Sequence, residues 1–277
     1  MGLLVLEGQT VTSVRRFAVV CMGEALLLAP SFRPSGGALE ASLQLARHGL
    51  HVALCAALED DARGRAVRAV VREAGVDVEG IELVPPRGHL VTSASRRVVP
   101  LHVEDVSPLS VPDAFSYELL LVSGLAPSLV PTAALIRAAR AARRSGALVV
   151  VDVNARRSQW RGQDPRQIHA LLREADVVRC STDDLVSLWT DSSTLAAVLR
   201  PAATFVLTDG PARAHAVGPF GEVHVAPPEI LRGTVPGAGD AFTAGLCHEL
   251  LRSKSVIDWE HVLGAAHRAA HARILAG

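Results

Sequence analysis

The sequence predicts an α/β fold with a mostly parallel sheet and helices on both of its faces. Three observations predict it. Short apolar runs alternate with helix-periodic segments along most of the chain. The middle carries a complete strand–helix–strand unit over residues 117–153. Near the C-terminus a glycine-rich turn, Gly233-Thr-Val-Pro-Gly-Ala-Gly-Asp240, runs straight into a helix. With 277 residues, 49% of them hydrophobic, the chain is long enough to bury one large core, or a core with a small appendage.

The first apolar run, residues 17–28, reads as one buried strand, and residues 1–16 as a loose lead-in. Residues 1–12 hold no basic segment and no small-residue cleavage site follows the run, so a signal peptide is not expected. The run contains Glu24 and is too short to span a membrane. Ser35-Gly36-Gly37 then opens an amphipathic helix through Leu43, Leu45 and Ala46, closed by Gly49. A strand follows at 51–57, and Asp60-Asp61-Ala-Arg-Gly64 starts a second helix bearing Val67, Val70 and Val71. Residues 88–103 alternate polar and apolar and read as short β segments, which Pro100 would interrupt.

The central unit runs from a strand at 117–122 through Ser123-Gly124, a helix at 132–144, Gly146 and a strand at 147–153. It ends in Asp152-Val-Asn154-Ala-Arg156-Arg-Ser-Gln-Trp160. A polar cluster at the C-terminal end of a strand is where open α/β sheets bind ligands. The competing reading is a surface loop with a solvated arginine. A strand at 176–179 leads to Ser181-Thr-Asp183-Asp184-Leu185, where Ser181 is an N-cap and the acids favour the helix dipole, with the helix reaching Trp189. The last predicted strand, 204–207, runs into Thr208-Asp209-Gly210.

Composition excludes several classes. Lys+Arg and Asp+Glu balance at 28 each, with no basic run, so neither nucleic acid nor a membrane is expected as a partner. The four cysteines, Cys21, Cys55, Cys180 and Cys247, form no C-x-x-C pair and read as buried reduced thiols of a cytoplasmic protein. The eleven histidines show no H-E-x-x-H or comparable ligand spacing.

The chemistry concentrates in Gly237-Ala238-Gly239-Asp240. Pro236 and the glycines make a turn whose free N–H groups point out of a helix N-terminus, an arrangement that suits phosphate. Asp240 adds a carboxylate in the first helical turn. Anion donors beside a carboxylate suit phosphoryl transfer, with the amides holding the moving group and the acid taking a proton from the attacking hydroxyl. The plainer alternative is an N-capping aspartate after a flexible loop. No Gly-Lys-Ser/Thr follows, which excludes a Walker A loop. No third glycine completes a dinucleotide fingerprint.

Residues 237–245, Gly-Ala-Gly-Asp-Ala-Phe-x-Ala-Gly, resemble the C-terminal signature of ribokinase-like (PfkB-type) carbohydrate kinases. The pair Gly36-Gly37, the helix ending Leu45-Ala-Arg-x-Gly49 and the Asp60-Asp-x-x-Gly64 segment are similar to that family's first signature. The pattern Asp152-x-Asn154-x-Arg156-x-x-x-Trp160 resembles fructokinases and, more closely, 2-keto-3-deoxygluconate kinases. The resemblance implies a three-layer α/β/α sandwich over residues 17–277, with a small β lid from about 29–36 and 88–104. It implies transfer of the ATP γ-phosphate to a primary hydroxyl of a small sugar or sugar acid, with Mg²⁺. Asp240 would be the base, and Gly237, Ala238 and Gly239 the anion hole. Gly36, Gly37, Asn154 and Arg156 would bind the substrate, Ser181, Thr208 and Gly210 the nucleotide, and Asp184 the metal through water. Lids of this family pair, so a homodimer through the lid is also an expectation.

The chain departs from the pattern in several places. Leu28 stands where many members carry a sugar-binding Asp, and Glu40 or Ala41 replaces an Asn. Thr234-Val235 replaces Asp-Thr, Arg213 replaces a glycine, and residues 263–277 lack the segment that flanks adenine. These changes keep open a non-catalytic relative that binds sugar or nucleotide. As base, Asp240 is expected to have an ordinary pKa of ~4.

Overall fold

A computed structural model describes residues 14–29, 33–85, 91–92, 109–125, 127, 130–160, 162–229, 235–253 and 256–276. Its first strand, β1 (Arg15–Gly23), leaves the main sheet at Glu24, and β2 (Leu26–Ala29) pairs instead with β3 (Arg33–Ser35). The apolar run 17–28 is therefore two strands in two sheets. The break falls at a buried carboxylate: Glu24 accepts a hydrogen bond from Gln159 Nε2 at 3.2 Å, which an apolar strand interior could not provide. The lead-in expected over 1–16 ends earlier, because Arg15 and Arg16 already pair with Phe115 and Ser116. Residues 1–13 lie outside the described residues.

The helix α1 (Gly37–Arg47) follows, then β4 (Val52–Glu59), α2 (Ala62–Glu73) and β5 (Ile81–Val84). Asp61 caps α2 by accepting from the Gly64 amide at 2.7 Å. A short strand, β6 (Val91–Thr92), joins β2 and β3 in a three-stranded second sheet. The rest of the expected β region 88–104 lies outside the described residues. The central unit is β7 (Phe115–Ser123), α3 (Thr132–Ser145) and β8 (Leu148–Asp152). Three further pairs of elements follow: α4 (Arg157–Trp160) and α5 (His169–Leu172), β9 (Val177–Ser181) and α6 (Thr182–Ser187), α7 (Ser192–Val198) and β10 (Thr204–Thr208). The hairpin β11 (Ala214–Gly218) and β12 (Gly221–Val225) precedes the two long helices α8 (Ala238–Arg252) and α9 (Trp259–Leu275).

The main sheet has the order β12-β11-β10-β9-β8-β7-β1-β4-β5. Every pair from β10 to β5 is parallel, and the hairpin adds two antiparallel strands at one edge. The inner strands read as continuous apolar runs because helices cover both faces. On one face Val20, Met22, Leu120, Val122, Val149 and Val151 pack under α3, with Leu135 and Ala139. On the other, Val19, Cys21, Leu119, Leu121 and Val150 meet Leu39 and Leu45 of α1, Phe242 and Leu246 of α8, and Leu263 of α9. This is the expected three-layer arrangement. All four cysteines are buried and free, as the sequence led us to expect. Among the described residues no helix is long and apolar enough to cross a membrane.

Candidate active site

The C-terminal ends of β7, β8, β9 and β10 meet the first turns of α1 and α8. Just past β8, Asn154 adopts φ 40°, a left-handed conformation that asparagine tolerates better than most residues. Its Nδ2 donates to Asp240 Oδ1 at 2.9 Å, tying the β8 loop to α8. Gly37 makes that approach feasible. A Cβ there would lie 2.5 Å from Asn154 Nδ2 and 2.4 Å from Ser123 Oγ, so any side chain would evict the asparagine. Gly37 thus opens space around Asn154, while Gly36 lets the chain pass close to the Glu24 carbonyl.

Gly237, at φ 87°, turns the chain into α8, and no side chain caps that helix. Ala238 N is bonded to Val235 O at 3.2 Å, and the next amides belong to a first turn that has no earlier helical carbonyl to bond. Two guanidinium groups flank the turn. A Cβ on Gly239 would stand 3.4 Å from Arg179 Nη2, and one on Gly237 would stand 3.3 Å from Arg273 Nε. The same point on Gly237 is 3.7 Å from Glu40 Oε2, so Glu40, not Ala41, is the residue that faces the site from α1. Uncapped amides with two arginines form a donor set for an anion.

Behind this turn lies a buried ionic network. Arg179 Nη1 donates to Asp152 Oδ1 at 3.1 Å, and Nη2 donates to Thr208 Oγ1 at 2.7 Å. Asp152 also accepts from Thr243 Oγ1 of α8 at 2.9 Å and from Ser123 Oγ at 3.4 Å. Burial works against the Arg179 charge, but Asp152 and Asp184 outweigh it and keep the guanidinium firmly protonated. Burial pushes the Asp240 carboxyl up to about 8. The charges of Asp152 and Glu40 push the same way, against Arg156 and Arg179. The carboxyl thus departs from the ordinary pKa expected of it, because it is enclosed and sits among other acids.

A family model described as "pfkB family carbohydrate kinase" matches residues 26–276. The chain belongs to the pfkB family of carbohydrate kinases. The kinase is 29% identical over 248 residues to aminoimidazole riboside kinase of Salmonella typhimurium, covering 83% of this chain and 76% of that protein. It is 24% identical over 291 residues to probable fructokinase-6 of Arabidopsis thaliana, covering 92% and 75%. The crystal structure of Salmonella enterica aminoimidazole riboside kinase, complexed with aminoimidazole riboside and an ATP analog, shares the fold. Its TM-score is 0.74 at 24% identity, over 94% of this chain and 92% of that one.

The kinase brings together Gly37, Asn154, the 237–239 turn and Asp240, but it uses Ser181 and Asp184 differently from the other expected site residues. Ser181 Oγ and Asp184 form a capping box on α6, and Asp184 Oδ2 accepts from Ser181 N and Oγ, both at 2.7 Å. Asp184 Oδ1 accepts from Ala155 N at 2.7 Å, so both oxygens of this buried acid already serve backbone and cap. Arg156 bends back to within 3.8 Å of Asp184 and leaves 40% of its side chain exposed. Thr208 holds Arg179, and Gly210 lies beyond β10, where Thr182 Oγ1 of α6 donates to Asp209 at 2.8 Å. Sequence reading missed Arg179, Thr243, Arg273 and the inward face of Glu40, and it quoted Asp152 in a motif without giving it a role. A signal existed for Arg179, a lone charge at the end of an apolar strand.

Proposed function

We propose that this kinase transfers the γ-phosphoryl group of ATP to a primary hydroxyl of a small sugar or sugar acid, with Asp240 as the general base. The observation that carries the reading is a buried carboxyl set directly behind an uncapped, arginine-flanked helix N-terminus. Its Oδ1 is taken by Asn154, which leaves Oδ2 to receive the hydroxyl proton. A carboxyl pushed up to about 8 is a stronger base than an ordinary one, and its pKa lies close to working pH, where general bases are most effective. The amides of the 237–239 turn, with Arg179 and Arg273, would hold the charge on the transferred group.

ATP, when bound, would supply the phosphoryl group, and Mg²⁺ would neutralise its phosphates. The turn fits the phosphates through its donor set. Asp184 fits the metal only through water, since its oxygens are occupied. Gly36 and Gly37 would shape the sugar side of the crevice, with Arg156 orienting the substrate, and Ser181, Thr208 and Gly210 would border the nucleotide. The β3-β2-β6 sheet would serve as the lid. The open turn and enclosed base favour turnover over the binding-only alternative.

ADP release with fructose, aminoimidazole riboside and 2-keto-3-deoxygluconate as acceptors tests this reading. Asp240→Asn should lower kcat on the best acceptor by ~10²–10⁴-fold while ATP binding persists. A variant that keeps about a tenth or more of wild-type kcat, with chemistry limiting turnover, would remove Asp240 as base.

A further inference from the structure

A second constellation lies away from the crevice, on the β11–β12 hairpin at the sheet edge. His215 and His224 are directly opposed in the antiparallel register, and their rings stack with centroids 4.2 Å apart and planes 6° apart. Glu222 lies two residues before His224, so its side chain leaves the same face of β12. Both imidazoles turn Nε2 toward one oxygen, Glu222 Oε1, at 2.6 Å from His215 and 2.8 Å from His224. His224 makes a hydrogen bond with it. His215 Nε2 is buried and, despite its distance, has no hydrogen bond of acceptable geometry.

We propose that His215, Glu222 and His224 form a binding site for a divalent transition-metal ion of the Zn²⁺ class. Two imidazoles and a carboxylate suit zinc and its neighbours, whereas Mg²⁺ and Ca²⁺ take oxygen ligands. The three donor atoms lie within 4.8 Å of one another. Bonds of ~2.0–2.1 Å in a tetrahedral site place neighbouring donors about 3.3 Å apart, so the two imidazole–carboxylate distances need to open by only about 0.5–0.7 Å. The hairpin register holds the two histidines together before the ion arrives. The ion would also use the lone pair that His215 Nε2 leaves without a partner. Glu222 and His224 are 56% and 49% exposed, so the ion needs no entry path and water can take the fourth position. His267 belongs to the other face, where its Nε2 meets Ala214 N and Val225 O, and so is not a ligand.

The experiment is calorimetric titration of the untagged full chain with Zn²⁺ alone at pH 7.5, in excess Mg²⁺. One ion should bind, and binding should raise the melting temperature. His215→Ala and His224→Ala should each weaken it by at least ~10–100-fold, the range seen even for groups that only support a ligand. Glu222→Gln, an exposed change that leaves the core untouched, should also weaken it. His261→Ala is the control, because His261 and His248 flank Glu249 in a separate cluster at 3.2 and 3.1 Å. Unchanged affinity in the hairpin variants, loss in His261→Ala instead, or full competition by Mg²⁺ would each overturn the assignment.

Discussion

The first turns of α6 and α8 belong to neighbouring parts of one polar network, yet they are finished in opposite ways. At α6 a serine and an aspartate cap each other, and the acid spends its remaining oxygen on Ala155 N. At α8 a glycine stands in the cap position, no side chain closes the turn, and two guanidinium groups approach it. Each helix has a carboxylate in its first turn, and burial raises both Asp184 and Asp240. The difference lies in what the oxygens touch. Asp184 is consumed by its cap and by the Ala155 amide, whereas among the described residues Asp240 has one hydrogen-bond partner, Asn154. A helix N-terminus is left open to a ligand when no side chain caps it and something else holds the acid.

Gly239→Val tests the open turn most severely. A branched side chain would press on Arg179 and push the anion off the amides, an effect set against the ~10²–10³ in rate that losing one such donor typically costs. Melting temperature should fall far less than kcat. Parallel losses across a series of residue-239 variants would make the turn structural, like that of α6.

Asp240→Asn has a second consequence, for stability against pH. The folded carboxyl keeps its proton up to about 8, while the unfolded one releases it near 3.8. The unfolded state therefore binds fewer protons between those values, and wild-type stability is lost as pH rises through that window. The asparagine variant lacks this loss. Its melting temperature should exceed that of wild type by a margin that is absent at pH 4 and grows toward pH 8. A margin that is flat with pH would mean Asp240 titrates normally.

Arg156→Ala separates the substrate classes. On an acid such as 2-keto-3-deoxygluconate it should cost ~1–2 kcal/mol in kcat/KM, limited by the exposure of the guanidinium, and about half that on fructose. Equal penalties would exclude a carboxylate partner. The smallest effect belongs to the closed turn. Ser181→Ala should cost about 1 kcal/mol of stability in chemical denaturation. A kcat loss as deep as that of Gly239→Val would erase the contrast between the two helices.

Most of the layer architecture was legible, because parallel strands covered on both faces become apolar runs and their helices keep a 3.6-residue stripe. β7, α3, β8 and β9 lie within a residue or two of their predicted positions. The hairpin β11–β12 and α9 were not read. The hairpin alternates alanine with histidine, and in α9 histidines and arginines interrupt the apolar stripe. Asp240, Asn154 and the glycines could be found because they cluster in short motifs. Arg179 left a signal as a lone charge ending an apolar strand, but the inward face of Glu40 and the place of Arg273 did not, since only the folded chain brings α1 and α9 to one turn. The same holds for His215 and the Glu222-x-His224 pair, which are separated by a turn in the chain but face each other across it.

Asp152 joins β8 to Ser123 of β7, Arg179 of β9 and Thr243 of α8 through buried side chains. Breaking a buried ion pair of this kind costs ~3–5 kcal/mol, so these elements cannot separate piecemeal. The crevice is thus welded to the middle of the sheet instead of resting on a loosely held rim. In rising urea, catalytic activity and the far-UV signal should vanish together in one transition, with no inactive but folded species between them.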